Sequence, residues 1–285
     1  MINKKIGFIG SGNMAYSLIG GLISTGVNGQ NIWISDPHSE KMTPIASQFS
    51  VNITNSNIEL VQSVDIVILA VKPQQLAQVC TEIAADVVNS RPLVISIAAG
   101  VLSKDIESWL NNQQNQSNPA LVRCMPNTPA LVQSGATALF ANKYVSDEQK
   151  TLAESILRAD GLTIWLDNES DMDAVTALSG SGPAYFFLVI DAMEKAGVQL
   201  GLDEKTAHLL AIQTAFGASK MALESNDSPE TLRKKVTSPG GTTEKAIAVL
   251  QDGKLEALFV KALESARDRS IELAQILGND SAGSK

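Results

Sequence analysis

Two glycine-rich segments of this 285-residue chain have the residue types and spacing to bind anions. The first runs from Gly10 to Ala15 and reads Gly-Ser-Gly-Asn-Met-Ala, directly after an apolar run and directly before a helical pattern. In that context Gly10 permits a tight turn, and Gly12 lets the backbone approach a pyrophosphate. The segment predicts a dinucleotide-binding loop, with a merely tight turn between strand and helix as the alternative.

The second segment, Val236–Thr243, places two glycines between hydroxyl side chains and leads straight into a helical pattern over residues 244–250. The backbone N–H groups of Gly240, Gly241 and Thr242, together with the helix dipole, would form an anion site there. This segment lies far from the first loop in sequence. We therefore expect one loop to hold the dinucleotide and the other to hold a small carboxylate.

Asp36 follows the second apolar run, about where dinucleotide folds place the residue that contacts the adenosine ribose. A carboxylate there would accept a hydrogen bond from a ribose 2′-hydroxyl and repel a 2′-phosphate, so Asp36 favours NADH. Two alternatives stay open. Asp-Pro is also an ordinary turn pair, and Ser35 or His38 would serve a phosphate if the register slips by one residue.

Two further segments follow apolar runs, where ligands bind at the carboxyl ends of strands in open α/β sheets. They are Ala70, Val71, Lys72 and Pro73, and Ala98, Ala99 and Gly100. Small residues at these positions would leave room for a cofactor. The alternatives are that the proline only ends a strand and that the Ala-Ala-Gly run serves packing.

Short, nearly continuous apolar runs alternate with helical segments over residues 1–167, which predicts βαβ units around a mostly parallel sheet. The predicted strands are Ile6–Ile9, Ile32–Ile34, Ile66–Val71, Leu93–Ala98, Leu121–Met125, Thr137–Phe140 and Thr163–Leu166, the last two as antiparallel additions at an edge. Residues 168–285 show helical periodicity only. The prediction is a Rossmann-like dinucleotide-binding domain followed by an all-α domain, which forms either a separate bundle or, as we favour, a core completed by a second copy.

Composition excludes several classes of protein. The formal net charge of −8 and the absence of a basic stripe argue against nucleic acid or an anionic membrane as a partner. Two cysteines and two histidines are too few for a disulfide framework, a zinc cluster or a histidine-based relay, so no metal site is expected. No uninterrupted apolar run reaches membrane-spanning length, and the N-terminal apolar run is too short for a signal peptide, so we expect a cytoplasmic protein.

The chain resembles the pyrroline-5-carboxylate reductase family over nearly its whole length. The segment Leu232–Leu250 is similar to the signature region of that family. Further similar segments follow in the family's order: Gly7–Met14, Ala70–Pro73, Ala98–Gly100, Arg123–Pro129 and Leu178–Tyr185. The resemblance implies reduction of the cyclic imine 1-pyrroline-5-carboxylate to L-proline by NADPH or NADH, the last step of proline synthesis. A cyclic imine can arrive protonated, so a hydroxyl can suffice where a carbonyl would need a strong acid.

The resemblance also implies roles for single residues. Thr243 would hydrogen-bond the imine nitrogen, while Ser238 and the N–H groups of Gly241 and Thr242 would hold the carboxylate. The residues that would line the cofactor are Ser11, Asn13, Met14, Asn57, Ala70, Lys72 and Ala98. Asp36 departs from the small or hydroxyl residues common in members that prefer NADPH, which leaves the cofactor preference open.

Two other functions fit parts of the sequence. A β-hydroxyacid dehydrogenase-like oxidoreductase would need a catalytic lysine within Thr176–Met193, which contains none. A nicotinamide-sensing regulatory protein would not need a second anion loop. By resemblance, the helical half would form a homodimer, with a homodecamer built from five such dimers as the larger assembly.

Overall fold

The computed structural model describes residues 2–111 and 118–280. Its sheet has eight strands in the order β3-β2-β1-β4-β5-β6-β7-β8. The strands are β1 (Ile6–Ile9), β2 (Ile32–Ser35), β3 (Asn52–Thr54), β4 (Ile66–Leu69), β5 (Leu93–Ser96), β6 (Leu121–Met125), β7 (Gly135–Ala141) and β8 (Gly161–Trp165). All seven expected strands are present, with ends that shift by no more than two residues. β3 was not expected, because Asn52–Thr54 has no apolar run.

The first six strands are parallel, β7 pairs antiparallel with β6, and β8 pairs parallel with β7. The expectation that the last two strands run against the others at one edge is confirmed. The helices are α1 (Asn13–Ser24), α2 (Ser39–Phe49), α3 (Asn57–Ser63), α4 (Pro73–Ser90), α5 (Ser103–Leu110), α6 (Asp147–Leu157), α7 (Met172–Val175), α8 (Gly182–Gln199), α9 (Glu204–Glu224), α10 (Pro229–Lys235), α11 (Thr242–Asp252) and α12 (Leu255–Asp280).

Helices cover both faces of the sheet, which is why the central strands contain almost no polar residue. α1, α2 and α6 pack on one face, through residues such as Leu18, Met42 and Ile156. α3, α4 and α5 pack on the other, through residues such as Leu60 and Ile83. Burial on both faces removes the alternation of apolar and polar residues that a half-exposed strand would show.

The described residues form two compact units, one of residues 2–181 and 266–280 and one of residues 182–265. Residues 169–181 belong to the first unit because buried polar contacts hold them there. Arg123 on β6 forms an ion pair with Glu169 at 2.7 Å, and Glu169 also accepts hydrogen bonds from the N–H and the hydroxyl of Ser103. The predicted boundary at residue 167, between a dinucleotide-binding part and a dimerising part, stays a prediction, because these contacts show only which residues pack together.

A π-helical turn, Thr176–Gly180, interrupts the helical run between α7 and α8. The side-chain amide of Asn127 donates to the carbonyl and the hydroxyl of Ser179, both at 3.2 Å. A side chain at Gly180 would collide with Met125, since its Cβ would lie 2.4 Å from the Met125 Cε atom. The interruption is therefore a close packing of this turn on β6.

The second unit leaves many large apolar side chains exposed. On α8 and α9 they include Phe186, Phe187, Leu188, Leu209, Leu210, Ile212 and Phe216. One helical run, Glu169–Gln199, is long and apolar enough to cross a membrane by length and composition alone. Polar and charged residues such as Asp173, Ser179 and Asp191 interrupt this run, so it is not an uninterrupted apolar run of the kind that the sequence analysis excluded.

Asp160 is a buried carboxyl group that gives a testable pH dependence. It is 2% exposed, and neither carboxylate oxygen makes a hydrogen bond of ordinary geometry among the described residues. Burial raises the pKa of Asp160 to about 6, and the nearby Ser17 hydroxyl only partly offsets that rise. The protonated form therefore stabilises the fold, and this contribution is lost as the pH rises through about 6.

We expect Asp160→Asn to raise the free energy of unfolding at pH 7.5 by about 2 kcal/mol, because it removes a buried charge without changing the shape of the side chain. The gain should shrink as the pH falls from about 6 toward 4, where the wild-type carboxyl is protonated. Urea unfolding across this pH range measures both effects, with Asp65→Asn, at an exposed carboxylate, as the control. A variant less stable than the wild type at every pH would contradict the prediction.

Candidate active site

The first glycine loop joins β1 to α1 at the carboxyl edge of the sheet. Gly10 has a φ of +103°, and a Cβ there would lie 2.6 Å from the carbonyl oxygen of Ala70. Gly12 precedes the first turn of α1, which has no side-chain cap, and a Cβ on Gly12 would meet no atom within 4 Å. Open space in front of uncapped helix N–H groups is what a pyrophosphate needs, so the residues present fit a dinucleotide.

The carboxylate of Asp36 lies directly against this loop. It accepts hydrogen bonds from the hydroxyl of Ser11 at 2.7 Å, the N–H of Ser11 at 3.1 Å and the N–H of His38 at 3.0 Å. Burial alone would raise the pKa of Asp36, but these hydrogen bonds and the charge of Lys41 lower it below its ordinary value. A fixed negative charge therefore stands beside the loop throughout the neutral pH range.

A cavity of about 530 Å³ opens beside Asp36. Six of the predicted cofactor residues line it: Gly10, Ser35, Asp36, Asn57, Val71 and Lys72. Ser35 is fully buried and its hydroxyl donates to the Asn57 side chain at 2.7 Å, and Asn57 in turn donates to Glu82 at 2.9 Å. The Ser35 hydroxyl is therefore already bound to Asn57. Asp36, directly after β2, is the neighbouring residue whose charged carboxylate contacts the glycine loop.

The other predicted cofactor residues do not line this cavity: Ser11, Gly12, Asn13, Met14, Ala70, Pro73, Ala98, Ala99 and Gly100. Ser11 and Ala70 nevertheless contact residues that do. Gly100 has a φ of +71°, and a Cβ there would lie 3.6 Å from Leu273 on α12. The Ala-Ala-Gly run therefore has the packing contact that the sequence left open as an alternative.

Several cavity residues were missed by the sequence-based prediction. Lys41, Asn55, Gln75, Gln78 and Glu82 contribute side chains from α2, from the loop after β3 and from α4. The position of Asn55 follows from β3, which has no signal in the sequence. The residues on α2 and α4 fall on helix faces whose direction depends on packing against the sheet.

The second glycine loop precedes α11 and forms a tight turn. Gly240 has a φ of +73°, and the N–H of Gly241 donates to the carbonyl of Ser238 at 3.0 Å. The N–H of Gly240 donates to a side-chain oxygen of Glu244 at 2.9 Å. A carboxylate of the chain itself therefore contacts one of the three N–H groups that the sequence assigned to anion binding.

Three hydroxyls of this loop are open. Within residues 2–111 and 118–280, the side chains of Ser238, Thr242 and Thr243 have no hydrogen-bond partner. By contrast, the hydroxyl of Thr237 donates to the carbonyl of Arg233 at 2.7 Å. Ser238 and Thr242 are exposed and Thr243 is half-buried at the first turn of α11. The loop thus presents neutral donors and acceptors at a helix N-terminus, which suits a small anion that carries a second polar group.

The described part of the chain holds no group of three or more His, Cys, Asp or Glu side chains placed to bind a metal ion. The histidine of the second unit, His208, lies 2.9 Å from Glu194 and bridges α9 to α8. The chemistry available at the second loop is therefore that of hydroxyls and backbone N–H groups.

Two family models match the chain. A model described as pyrroline-5-carboxylate reductase dimerisation matches residues 169–273, and one described as NADP oxidoreductase, coenzyme F420-dependent, matches residues 5–100. The first match covers the second glycine loop, and the second match covers the first loop and Asp36.

Relatives match along the whole length. The pyrroline-5-carboxylate reductase of Pseudomonas aeruginosa is 49% identical over 98% of this chain and 100% of its own. The solved structure of a pyrroline-5-carboxylate reductase from Coxiella burnetii is 46% identical, with a TM-score of 0.90 over 95% of this chain and 98% of that one. The Plasmodium falciparum pyrroline carboxylate reductase with NADP bound is 30% identical, with a TM-score of 0.83 over 96% of this chain and 99% of that one.

Proposed function

Because this chain belongs to the pyrroline-5-carboxylate reductase family, we propose that it reduces 1-pyrroline-5-carboxylate to L-proline, the last step of proline biosynthesis. It is an oxidoreductase of the CH–NH group that uses NADPH or NADH. The observation that carries this function beyond the family is the second loop, where the hydroxyls of Ser238, Thr242 and Thr243 are open at the start of α11. A β-hydroxyacid dehydrogenase-like enzyme would instead need a catalytic lysine within Thr176–Met193, and this stretch contains none.

The cofactor supplies the hydride when it is bound. Gly10, Gly12 and the first turn of α1 would hold its pyrophosphate, since this helix end is uncapped and the space before Gly12 is open. Asp36, Asn57 and the cavity beside them would hold the adenosine end. We further propose that Ser11, Asn13, Met14, Ser35, Ala70, Val71, Lys72, Pro73, Ala98, Ala99 and Gly100 complete the lining.

At the second loop, the carboxylate of the substrate would bind the Ser238 hydroxyl and the N–H groups of Gly241 and Thr242, with the Gly241 N–H shared between the substrate and the Ser238 carbonyl to which it already donates. Thr243 would hydrogen-bond the ring nitrogen and so fix the position of the carbon that is reduced. A protonated imine needs no further proton during reduction, so a neutral hydroxyl is sufficient at this position. The Gly240 N–H would join the carboxylate site when Glu244 turns away from it.

Glu244 gives a prediction about substrate affinity. Its carboxylate contacts the Gly240 N–H, where it both occupies a donor and repels an anionic substrate. We expect Glu244→Gln to lower the KM for pyrroline-5-carboxylate by about threefold with little change in kcat, because an exposed charge contributes only modestly. Steady-state kinetics at low and high salt measure this, and the effect should fade at high salt. A raised KM would mean that Glu244 orders the loop for binding.

We also propose that the chain is a cytoplasmic homodimer at least, with a decamer of five dimers as the larger assembly. A second copy would cover the apolar side chains that α8 and α9 leave exposed. The segment matched by the dimerisation model contains both helices. In this arrangement residues 1–167 bind the dinucleotide and residues 168–285 dimerise and bind substrate. A light-scattering mass equal to the 30.2 kDa monomer at micromolar concentration would contradict it.

One assay tests the proposed function directly. NADPH and NADH oxidation is followed with pyrroline-5-carboxylate and, in parallel, with 2-keto acids, while NAD⁺ and NADP⁺ reduction is followed with 2-hydroxy acids. Turnover only with the cyclic imine supports the proposal. Turnover only with the acids would support a dehydrogenase of hydroxy acids, and cofactor binding without turnover would support a sensor.

A further inference from the structure

A hydrogen-bonded chain of three side chains, Ser35, Asn57 and Glu82, forms part of the wall of the cavity beside Asp36. Ser35 ends β2, Asn57 is the first residue of α3, and Glu82 lies in α4. The Ser35 hydroxyl donates to the side-chain oxygen of Asn57 at 2.7 Å. The side-chain nitrogen of Asn57 donates to the Glu82 carboxylate at 2.9 Å. Three elements that are distant in sequence therefore meet where the adenosine end of the cofactor is proposed to bind.

Glu82 determines the direction of this chain. Its side chain is exposed, and a carboxylate has acceptors but no donor, so it binds the amide nitrogen of Asn57 and not the amide oxygen. The oxygen of the amide is then turned toward Ser35, whose hydroxyl donates its one hydrogen to it. A serine hydroxyl both donates and accepts, so Ser35 alone would not select this orientation. The orientation of the Asn57 amide therefore depends on Glu82.

The result is a cavity wall that presents acceptors at the end of β2. An amide oxygen accepts two hydrogen bonds, so the Asn57 oxygen retains one acceptor site for a ligand besides the one that Ser35 uses. The Asp36 carboxylate follows Ser35 directly. A ribose 2′-hydroxyl can donate to an acceptor of this kind. A 2′-phosphate above its second pKa of about 6 has only acceptors and cannot.

We propose that Glu82 is a positioning residue for cofactor selection, which holds the Asn57 amide so that its oxygen favours a free 2′-hydroxyl over a 2′-phosphate. This inference rests on the proposed binding of the dinucleotide in this cavity. It differs from the effect of Asp36, because Asp36 repels a phosphate by its charge. Glu82 acts through the orientation of a neutral group that it contacts.

Glu82→Gln removes the constraint, because the new amide can donate to the Asn57 oxygen. The Asn57 nitrogen can then turn toward Ser35 and offer a donor to a 2′-phosphate. Calorimetry at pH 7.5 with adenosine 2′,5′-bisphosphate should show about three- to tenfold tighter binding to Glu82→Gln than to the wild type, the effect of about one hydrogen bond. The affinity for 5′-AMP should change by less than about twofold, because its 2′-hydroxyl can donate or accept.

Asp86→Asn is the matched control. Asp86 lies one turn further along α4, accepts a hydrogen bond from the Gln62 side chain at 2.7 Å, and is not among the residues that line the cavity. The control removes the same charge from the same helix, so it should leave the affinities for both nucleotides near their wild-type values. Circular dichroism establishes that each variant is folded.

A double-mutant cycle separates orientation from charge. If Glu82 acts through Asn57, then Glu82→Gln in an Asn57→Ala background should leave the ratio of the two affinities unchanged within about twofold. A loss of charge alone would shift the ratio by the same factor in both backgrounds.

The outcomes distinguish this inference from the proposed cofactor site. Equal bisphosphate affinities of the wild type and Glu82→Gln, or equal shifts in both backgrounds, overturn the role of Glu82 and leave the dinucleotide site in place. Binding of neither nucleotide to the wild type overturns the dinucleotide site, and the role of Glu82 with it.

Discussion

Replacing Thr243 with alanine is expected to lower kcat by about 10²-fold or more, because the variant loses a hydrogen bond that the reaction uses at the ring nitrogen. The hydroxyl of Thr243 has no protein partner within the described residues and lies half-buried at the first turn of α11. Its loss therefore leaves no broken internal hydrogen bond. We expect NADH affinity and the melting temperature to stay near their wild-type values.

Two matched variants separate chemistry from packing. Thr243→Ser keeps the hydroxyl and should retain most of kcat. Thr237→Ala removes a hydroxyl that donates only to the carbonyl of Arg233, so its effect on kcat should be small. Steady-state kinetics and fluorescence titration with NADH give the two readouts. If Thr243→Ala and Thr237→Ala had equal turnover, Thr243 would have no part in the reaction.

Asp36→Asn is expected to shift the ratio of kcat/KM for NADPH to that for NADH by about 10- to 100-fold in favour of NADPH. The wild-type carboxylate has three donors, the N–H and hydroxyl of Ser11 and the N–H of His38, which keep it ionised. A 2′-phosphate beside it would meet a like charge, and like charges in contact cost several kcal/mol. The asparagine removes the charge and keeps the size of the side chain.

Binding of cofactor fragments provides a readout that does not depend on turnover. Calorimetry with adenosine 2′,5′-bisphosphate should show tighter binding to Asp36→Asn than to the wild type, whereas 5′-AMP should bind both about equally. Asp65→Asn removes the same charge near Lys4, where the carboxylate also accepts the N–H of Lys5, and controls for net charge. A wild type that already prefers NADPH by a wide margin would show that Asp36 does not face the ribose.

The fold was predictable where the signal is local. Strands buried on both faces need continuous apolar runs, so β1, β4 and β5 could be located from the sequence with small errors at their ends. β3 could not, because Asn52–Thr54 gains its strand conformation from pairing with β2 and has no pattern of its own. The helical half showed its periodicity in the sequence, but the faces that remain exposed were visible only once the helices were placed.

The sequence by itself determined the two glycine loops and the family. A glycine with a positive φ and a helix start without a side-chain cap each depend on only a few adjacent residues. Such features can therefore be recognised as motifs in the sequence. Only the tertiary structure decided which groups meet across long stretches of chain: Ser11 with Asp36, Arg123 with Glu169, and Asp160 buried against α1. The physical reason is that such contacts depend on how helices pack on the sheet, and no local pattern of residues encodes that packing.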